Sequence, residues 1–117
     1  MTALRDAAIR GDVANVKALL AGGTDPDEGA LEDGWTPLYL AVNHGHLEVI
    51  RELLAAGADP SVRAVAIGSI FDMIRISRYD RDMADRIVEI IGQFAPEAVM
   101  DYWVENRQQE AQRGPGR

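Results

Sequence analysis

The chain has 117 residues, no cysteine and a formal net charge of −7 at pH 7. This length suits a single domain, and the lack of cysteine excludes disulfide bonds and cysteine-ligated zinc. Residues 1–60 hold ten acidic and four basic residues (net −6), while residues 61–117 hold nine and eight (net −1). The acidic first half disfavours nucleic acid as a direct ligand and favours a basic protein surface as partner.

No segment of the sequence suggests a membrane. The longest apolar run is far short of the roughly 20 residues that a bilayer span needs. The first residues also lack a basic stretch followed by an apolar core, so we expect no secretory signal and a cytoplasmic location. Eleven arginines against one lysine suggest a GC-rich genome, and we therefore expect a bacterial source.

A repeat of 34 residues organises the first half of the chain, because residues 4–26 recur at 38–60. A repeat of this length is typical of a solenoid, in which one supersecondary unit stacks on its copies. The matching positions are Leu4 with Leu38, Ala7 with Ala41, Gly11 with Gly45, Val16 with Ile50, Leu19-Leu20 with Leu53-Leu54, Gly23 with Gly57, and Asp25-Pro26 with Asp59-Pro60.

The first unit, residues 2–31, predicts two helices. Thr2 can cap the first helix, and Gly11 interrupts it. An apolar stripe at helical spacing then predicts the second helix, which should end at Gly22 and Gly23 before a turn. The stripe consists of Val13, Val16, Leu19 and Leu20.

The second unit, residues 32–65, repeats this plan more sharply. Thr36 and Pro37 form a helix start, Gly45 separates the helices, and Gly57 ends the second one. The stretch from Gly34 to Asp59, GWTPLYLAVNHGHLEVIRELLAAGAD, resembles the ankyrin repeat nearly throughout.

This resemblance implies an all-α fold, an ankyrin-like α-solenoid of stacked helix-turn-helix repeats with projecting hairpin-like loops. It also implies a binding module whose concave face is formed by the loops and the first helices. Tyr39 departs from the family pattern, which usually has histidine there and uses it for hydrogen bonds between repeats.

A third, divergent unit is expected over residues 66–95, with about four residues inserted near Arg78. Ile74 replaces the small Ala41, so the helices should sit differently there, and Asp82 with Asp85 could cap the last helix. That helix should carry a stripe made of Met83, Ile87, Ile90, Ile91 and Phe94.

The C-terminal part completes a single domain over residues 1–107. We expect a capping helix over about residues 96–107, with Trp103 on its apolar side, because the end unit of a solenoid must cover the last core face. Residues 108–117 should be a disordered tail.

Candidate partner-binding residues fall on the loops and the first helix of unit two. Trp35 is a ready aromatic anchor for the concave face, with packing against the neighbouring loop as its structural alternative. Asp25, Asp27, Glu28, Glu32 and Asp33 form an acidic loop, which could steer a basic partner or simply be solvated. The predicted binding residues are Trp35, Glu32, Asp33, Asn43, His44, Tyr39, Asp27 and Glu28. For Tyr39, packing in the core is an equally open alternative.

We predict no catalytic, cofactor or metal site. His44 and His46 flank a turn without a third ligand at a suitable spacing, and no nucleophile motif or phosphate loop is present. The sequence therefore predicts a non-enzymatic protein-interaction module, an adaptor or regulator, that is a monomer or a weak dimer. Two alternatives stay open: an immunity-protein or antitoxin-type inhibitor of a basic toxin, and a structural protomer that self-associates through Trp103 and the third unit.

Overall fold

Six helices, in pairs, account for most of the part of the chain that the computed structural model describes, residues 3–100. A further helical segment at 96–100 reaches the end of this part. The predictions for Thr2, for Trp103 with most of the capping helix, and for the tail lie outside the described residues. The helices are α1 Ala3–Arg10, α2 Val13–Ala21, α3 Pro37–His44, α4 Leu47–Ala55, α5 Ile70–Ile76 and α6 Arg81–Phe94.

The helices form two layers. The first helices of the pairs, α1, α3 and α5, lie side by side, and the second helices, α2, α4 and α6, form the other layer. Over residues 3–100 there is no strand, only an isolated bridge between Ala64 and Gly68. The predicted all-α solenoid is therefore confirmed.

The second pair shows why these residues form helices. Thr36 has extended backbone, and its Oγ1 accepts a hydrogen bond from the Tyr39 N–H at 3.4 Å. Pro37 begins the helix, where a missing N–H costs nothing. Gly45 ends α3 with φ +72°, and Gly11 makes the same turn after α1 with φ +71°. Both glycines are needed because this left-handed conformation is strained for other residues.

The third pair starts like the second but turns differently. Ser69 and Asp72 form a capping box at the start of α5, in which each side chain accepts from the other residue's N–H. The helix ends at Ser77 with extended backbone, so no left-handed residue replaces Gly45. Helices α5 and α6 also approach each other less closely than the helices of the first two pairs. This difference agrees with the expectation from Ile74, which is bulkier than the equivalent Ala41.

The N-cap of α6 is Asp80, and the predicted capping by Asp82 and Asp85 is wrong. Asp80 has extended backbone, and its Oδ1 accepts a hydrogen bond from the Met83 N–H at 2.9 Å. Asp82 already lies inside the first turn, where its side chain cannot reach the free N–H groups in this way.

The core runs continuously between the two layers. Leu4, Leu38 and Ile70 occupy it from the first helices, and Ile50 and Ile87 do so from the second ones. The stripe predicted for α6 is confirmed for its three isoleucines but not for its last member. Phe94 is 43% exposed, and Val88, which the prediction omitted, is buried instead.

Candidate functional site

Two long loops lie side by side at one edge of the domain. The first loop, residues 22–36, joins α2 to α3, and the second loop, residues 56–69, joins α4 to α5. Backbone hydrogen bonding joins them, because the carbonyl of Asp33 accepts from the Val65 N–H at 2.8 Å. The loops therefore form one continuous surface, which we call the loop edge, at the N-terminal ends of α3 and α5.

Gly34 allows the two loops to come this close. It has φ +77°, and a Cβ built on it would lie 2.7 Å from the Cα of Ala64 and closer still to the carbonyl oxygen of Arg63. No side chain fits between these two backbones. The contact fixes the register of the first loop against the second.

Tyr39 ties the second loop to α3. Its hydroxyl contacts the carbonyl oxygens of Val62 and Gly68, the latter at 2.7 Å. The side chain is fully buried, and this burial raises the pKa of Tyr39 to about 12, so the hydroxyl keeps its proton as a donor. Tyr39 thus supplies a link between repeats where the family usually has histidine. Its predicted role as a partner-binding residue is wrong, because no part of the side chain is accessible.

Arg5 performs a similar task for the first loop, and sequence reasoning missed it. Its guanidinium lies 3.7 Å from Glu32 and 3.9 Å from Asp33, and the side chain is only 13% exposed. The sequence contained a signal for this role, because Arg5 and Tyr39 occupy equivalent positions in the 34-residue repeat. Arg5 on α1 therefore provides a basic partner for the acidic loop.

Three of the acidic side chains accept backbone hydrogen bonds that hold the loop itself. Asp27 Oδ1 accepts a hydrogen bond from the Asp59 N–H at 2.9 Å, and Asp33 Oδ1 accepts one from the Trp35 N–H at 3.0 Å. Partial burial raises the pKa of Asp27, despite the lowering effect of the Asp59 N–H. Asp25 Oδ1 likewise accepts a hydrogen bond from the Asp27 N–H at 2.9 Å, so Glu28 and Glu32 are the carboxylates of this loop left for an outside partner.

Glu32 and Asp25 are exposed, and Glu28 is partly buried. Glu32 has the most exposed side chain of the carboxylates that form ion pairs, at 75%, and its distance of 3.7 Å from Arg5 is long for an ion pair. The loop edge therefore keeps a negative character after its internal contacts are made.

Trp35 is half-buried at the base of the loop edge. Its ring meets the ring of Tyr39 edge-to-face, with centroids 6.3 Å apart and planes at 68°. The structure supports the packing alternative for Trp35, because its half-buried side chain packs against the core, and the role in partner binding stays a prediction.

Two exposed aliphatic residues complete the loop edge, and sequence reasoning missed both. Leu31 is fully exposed, and Val65 is 63% exposed. Their loops meet at the Asp33–Val65 hydrogen bond. Leu31 could have been noticed as an isolated large apolar residue inside an acidic loop.

Asn43 and His44 are exposed, but at the other end of α3. Trp35 precedes the helix, whereas Asn43 lies six residues beyond its first residue, Pro37, which is about 9 Å along the helix axis. The His44 ring stacks on that of His46, with centroids 6.1 Å apart, and the His46 Nε2 hydrogen-bonds the carbonyl of Ile9 at 2.9 Å. His46 is thus a structural residue that links the second helix pair to α1.

Within residues 3–100, no group of three or more histidine or acidic side chains is arranged to hold a metal ion. The same part of the chain contains no helix that is long and apolar enough to cross a bilayer.

Comparisons with known proteins agree with the fold. A family model described as "Ankyrin repeats (3 copies)" matches residues 1–64, which is more than half of the chain and excludes the divergent third unit. The mouse 2-5A-dependent ribonuclease is 46% identical over 56 residues, 46% of this chain and 7% of that protein. Mouse ankyrin repeat and SAM domain-containing protein 6 is 36% identical over 75 residues, 64% of this chain and 8% of that protein.

A smaller relative is mouse protein phosphatase 1 regulatory subunit 27, which is 37% identical over 59 residues, 50% of this chain and 38% of that protein. The matches thus cover less than two-fifths of each of these relatives. They support the repeat fold, while the source and the cellular location stay predictions.

Proposed function

Since the chain belongs to the ankyrin-repeat family, whose repeats are generally protein-interaction modules, we propose that it is an adaptor or regulator that binds a protein partner through its loop edge. The members of the loop edge that can touch a partner are Glu28, Leu31, Glu32, Trp35 and Val65. We propose no enzymatic activity for it.

The observation that carries the proposal is the full exposure of Leu31 in a loop whose position is fixed. A leucine side chain in water costs free energy that burial against a partner recovers, about 25 cal/mol for each Å² of apolar surface. The first loop is tied by Arg5 to α1 and by Asp33 to the second loop, so little ordering is needed on binding.

The partner in this proposal has a basic surface. Glu32 is exposed next to Leu31, and residues 1–60 carry a net charge of −6. Such charges steer a positively charged partner and raise the association rate more than the affinity. The proposal therefore includes binding that weakens as salt screens the surface charges.

Affinity capture from host lysate at low and high salt would test the proposal, with the wild-type chain compared to Leu31→Ser and Trp35→Ala. A matched control is Ile76→Ser, since Ile76 is also a largely exposed aliphatic residue (62%) but lies on α5. We expect a partner that the control retains and that both loop-edge variants lose. Equal retention by all four proteins, each shown to be folded by circular dichroism, would overturn the proposal.

An inhibitor of a basic toxin is the second candidate, and the concentration of negative charge in residues 1–60 favours it. It uses the same surface, so the distinguishing measurement is the partner's own activity. An adaptor leaves that activity unchanged at one equivalent, whereas an immunity-type inhibitor abolishes it. We propose a monomer or weak dimer, which light scattering over a range of concentrations would test.

A further inference from the structure

A shallow groove lies at the edge of the domain opposite the loop edge. The turns within the helix pairs meet there, and the groove has a volume of about 390 Å³. We call it the turn groove; it is lined by Gly11, Val13, Gly45, His46, Leu47, Glu48, Val49 and Met83. It shares no residue with the loop edge and has no part in the binding proposed above.

The walls of the turn groove are fixed. His46 donates from Nε2 to the carbonyl of Ile9 at 2.9 Å, and the ring of His44 stacks with that of His46 at a centroid distance of 6.1 Å. Gly11 lies directly against the His46 ring, because a Cβ built on Gly11 would be 2.7 Å from Nδ1. The groove is therefore formed before anything enters it, which lowers the entropic cost of binding.

The floor of the turn groove is apolar. Val13, Leu47 and Met83 are each only partly buried, although they pack against the core from three different helices. Gly45 adds no side chain, and the nearest side-chain atoms to a Cβ built on it are those of Tyr79 and Met83. The space suits an aliphatic or aromatic side chain, and the flexible Met83 can adjust to either.

The turn groove has one negatively charged side chain at its rim. Glu48 is the only charged residue that lines it, and its side chain is exposed. No lysine or arginine among residues 3–100 forms an ion pair with Glu48. The complementary occupant is thus an apolar side chain with a lysine or arginine next to it.

We propose that the turn groove is a second docking site, which accepts one apolar side chain of a protein partner flanked by basic residues. Occupied together with the loop edge, it would allow the chain to hold two proteins at opposite edges. The bridging role needs both sites, but the turn groove is argued from its own residues and would stand without the loop edge.

The test is a titration of the ¹⁵N-labelled chain with capped pentapeptides, followed by amide chemical shifts. The probe has the sequence Gly-Arg-Leu-Arg-Gly, and the two comparison peptides replace the leucine by serine or both arginines by glutamate. The amides of Gly11 and Gly45 report on the groove, and those of Gly29 and Gly34 report on the loop edge.

We expect the Arg-Leu-Arg peptide to shift Gly11 and Gly45 with weak, saturable binding, and both comparison peptides to bind more weakly. Glu48→Gln should reduce the affinity about two- to fivefold, the range for an exposed charge pair. Glu89→Gln, at an exposed position on α6 outside the groove, should leave it unchanged.

Two results would overturn the proposal. One is the absence of saturable shifts at Gly11 and Gly45. The other is equal binding of the serine and leucine peptides, which would mean only charge attraction. Shifts confined to Gly29 and Gly34 would overturn the turn groove while supporting the loop edge, so the two sites can fail separately.

Discussion

Arg5 and Tyr39 hold the same position one repeat apart, and each fastens the loop that follows its own helix pair. The Arg5 guanidinium pairs with Glu32 and Asp33 in the first loop, and the Tyr39 hydroxyl contacts the carbonyls of Val62 and Gly68 in the second. The position lies at the N-terminal end of the first helix of each pair, from which both side chains reach the following loop. The loop is thus attached to the helix by ion pairs in the first repeat and by hydroxyl contacts in the second.

Tyr39→Phe should destabilise the protein by about 1 kcal/mol, the usual net contribution of a hydrogen bond. The substitution keeps the ring and its packing but removes the hydroxyl that contacts the partly buried carbonyls of Val62 and Gly68, and the Gly68 carbonyl still accepts from the Ala64 N–H. Urea unfolding followed by circular dichroism measures the loss. His44→Ala, at an exposed position of the same helix, serves as control, and an equal effect of both substitutions would contradict the role given to the hydroxyl.

Arg5→Gln should loosen the first loop and cost about 1 kcal/mol, the upper end for a partly exposed ion pair. Hydrogen exchange at the Gly34 and Trp35 amides, which donate within the loop, should become faster. The matched control is Arg10→Gln, because Arg10 pairs with Asp6 on the same helix but is 55% exposed. Unchanged exchange in Arg5→Gln would show that the loop is held by its backbone contacts alone.

The losses of stability in Gly34→Ala and Gly57→Ala should distinguish the effect of backbone strain from that of a clash between the two loops. Both glycines have positive φ, +77° and +97°, so alanine costs about 1–2 kcal/mol at either position. Only at Gly34 would the methyl group also meet the backbone of Arg63 and Ala64, whereas nothing lies within 4 Å of it at Gly57. We expect a total loss of about 2–4 kcal/mol at Gly34 in denaturant unfolding. Equal losses at both positions would contradict the close contact of the loops.

The acid dependence of stability should differ in sign between Asp27 and Asp72. Burial raises the pKa of Asp27 above its usual 3.8, so ionisation opposes folding as the pH rises above 3.8. The Ser69 N–H lowers the pKa of Asp72 below 3.8, so its ionised form supports folding above 3.8 and this support is lost as the pH falls through the lowered value.

The measurement is urea unfolding of Asp27→Asn and Asp72→Asn at several pH values between 2 and 7. Relative to the wild type, Asp27→Asn should gain stability at pH 7 and lose that gain below pH 3.8, because asparagine still accepts the Asp59 N–H. Asp72→Asn should lose stability at pH 7, with a loss that shrinks in acid. A pH-independent difference for either variant would show that ionisation is not its cause.

The parts of the fold that follow from local chemistry could be predicted from the sequence. Thr36 before Pro37 predicted a helix start, because threonine caps a helix and proline suits its first position. Gly45 predicted a turn, because glycine readily adopts the left-handed conformation. Asp80 was missed as a cap because several aspartates lie near the start of α6, and only the path of the chain decides which one precedes it.

The candidate site was less predictable, because its side chains depend on contacts between distant segments. Five acids in one loop could not be sorted by sequence into those that hold it, such as Asp27, and those left exposed, such as Glu32. Sorting them required knowing that Asp59 lies beside Asp27. Tyr39 was misassigned for the same reason, since its partners lie 23 and 29 residues further along the chain.

This sorting yields the sharpest expectation for binding of a basic partner. Glu32→Gln should lower the association rate and reduce its dependence on salt, because it removes an exposed charge from the loop edge. Asp27→Asn removes the same formal charge, but from a carboxylate that is partly buried and engaged with the second loop. It should therefore change the rate much less. Surface plasmon resonance with the captured partner at 50 and 500 mM salt provides both rates. A larger effect of Asp27→Asn would mean that the partner binds at the junction of the two loops rather than at the tip of the first.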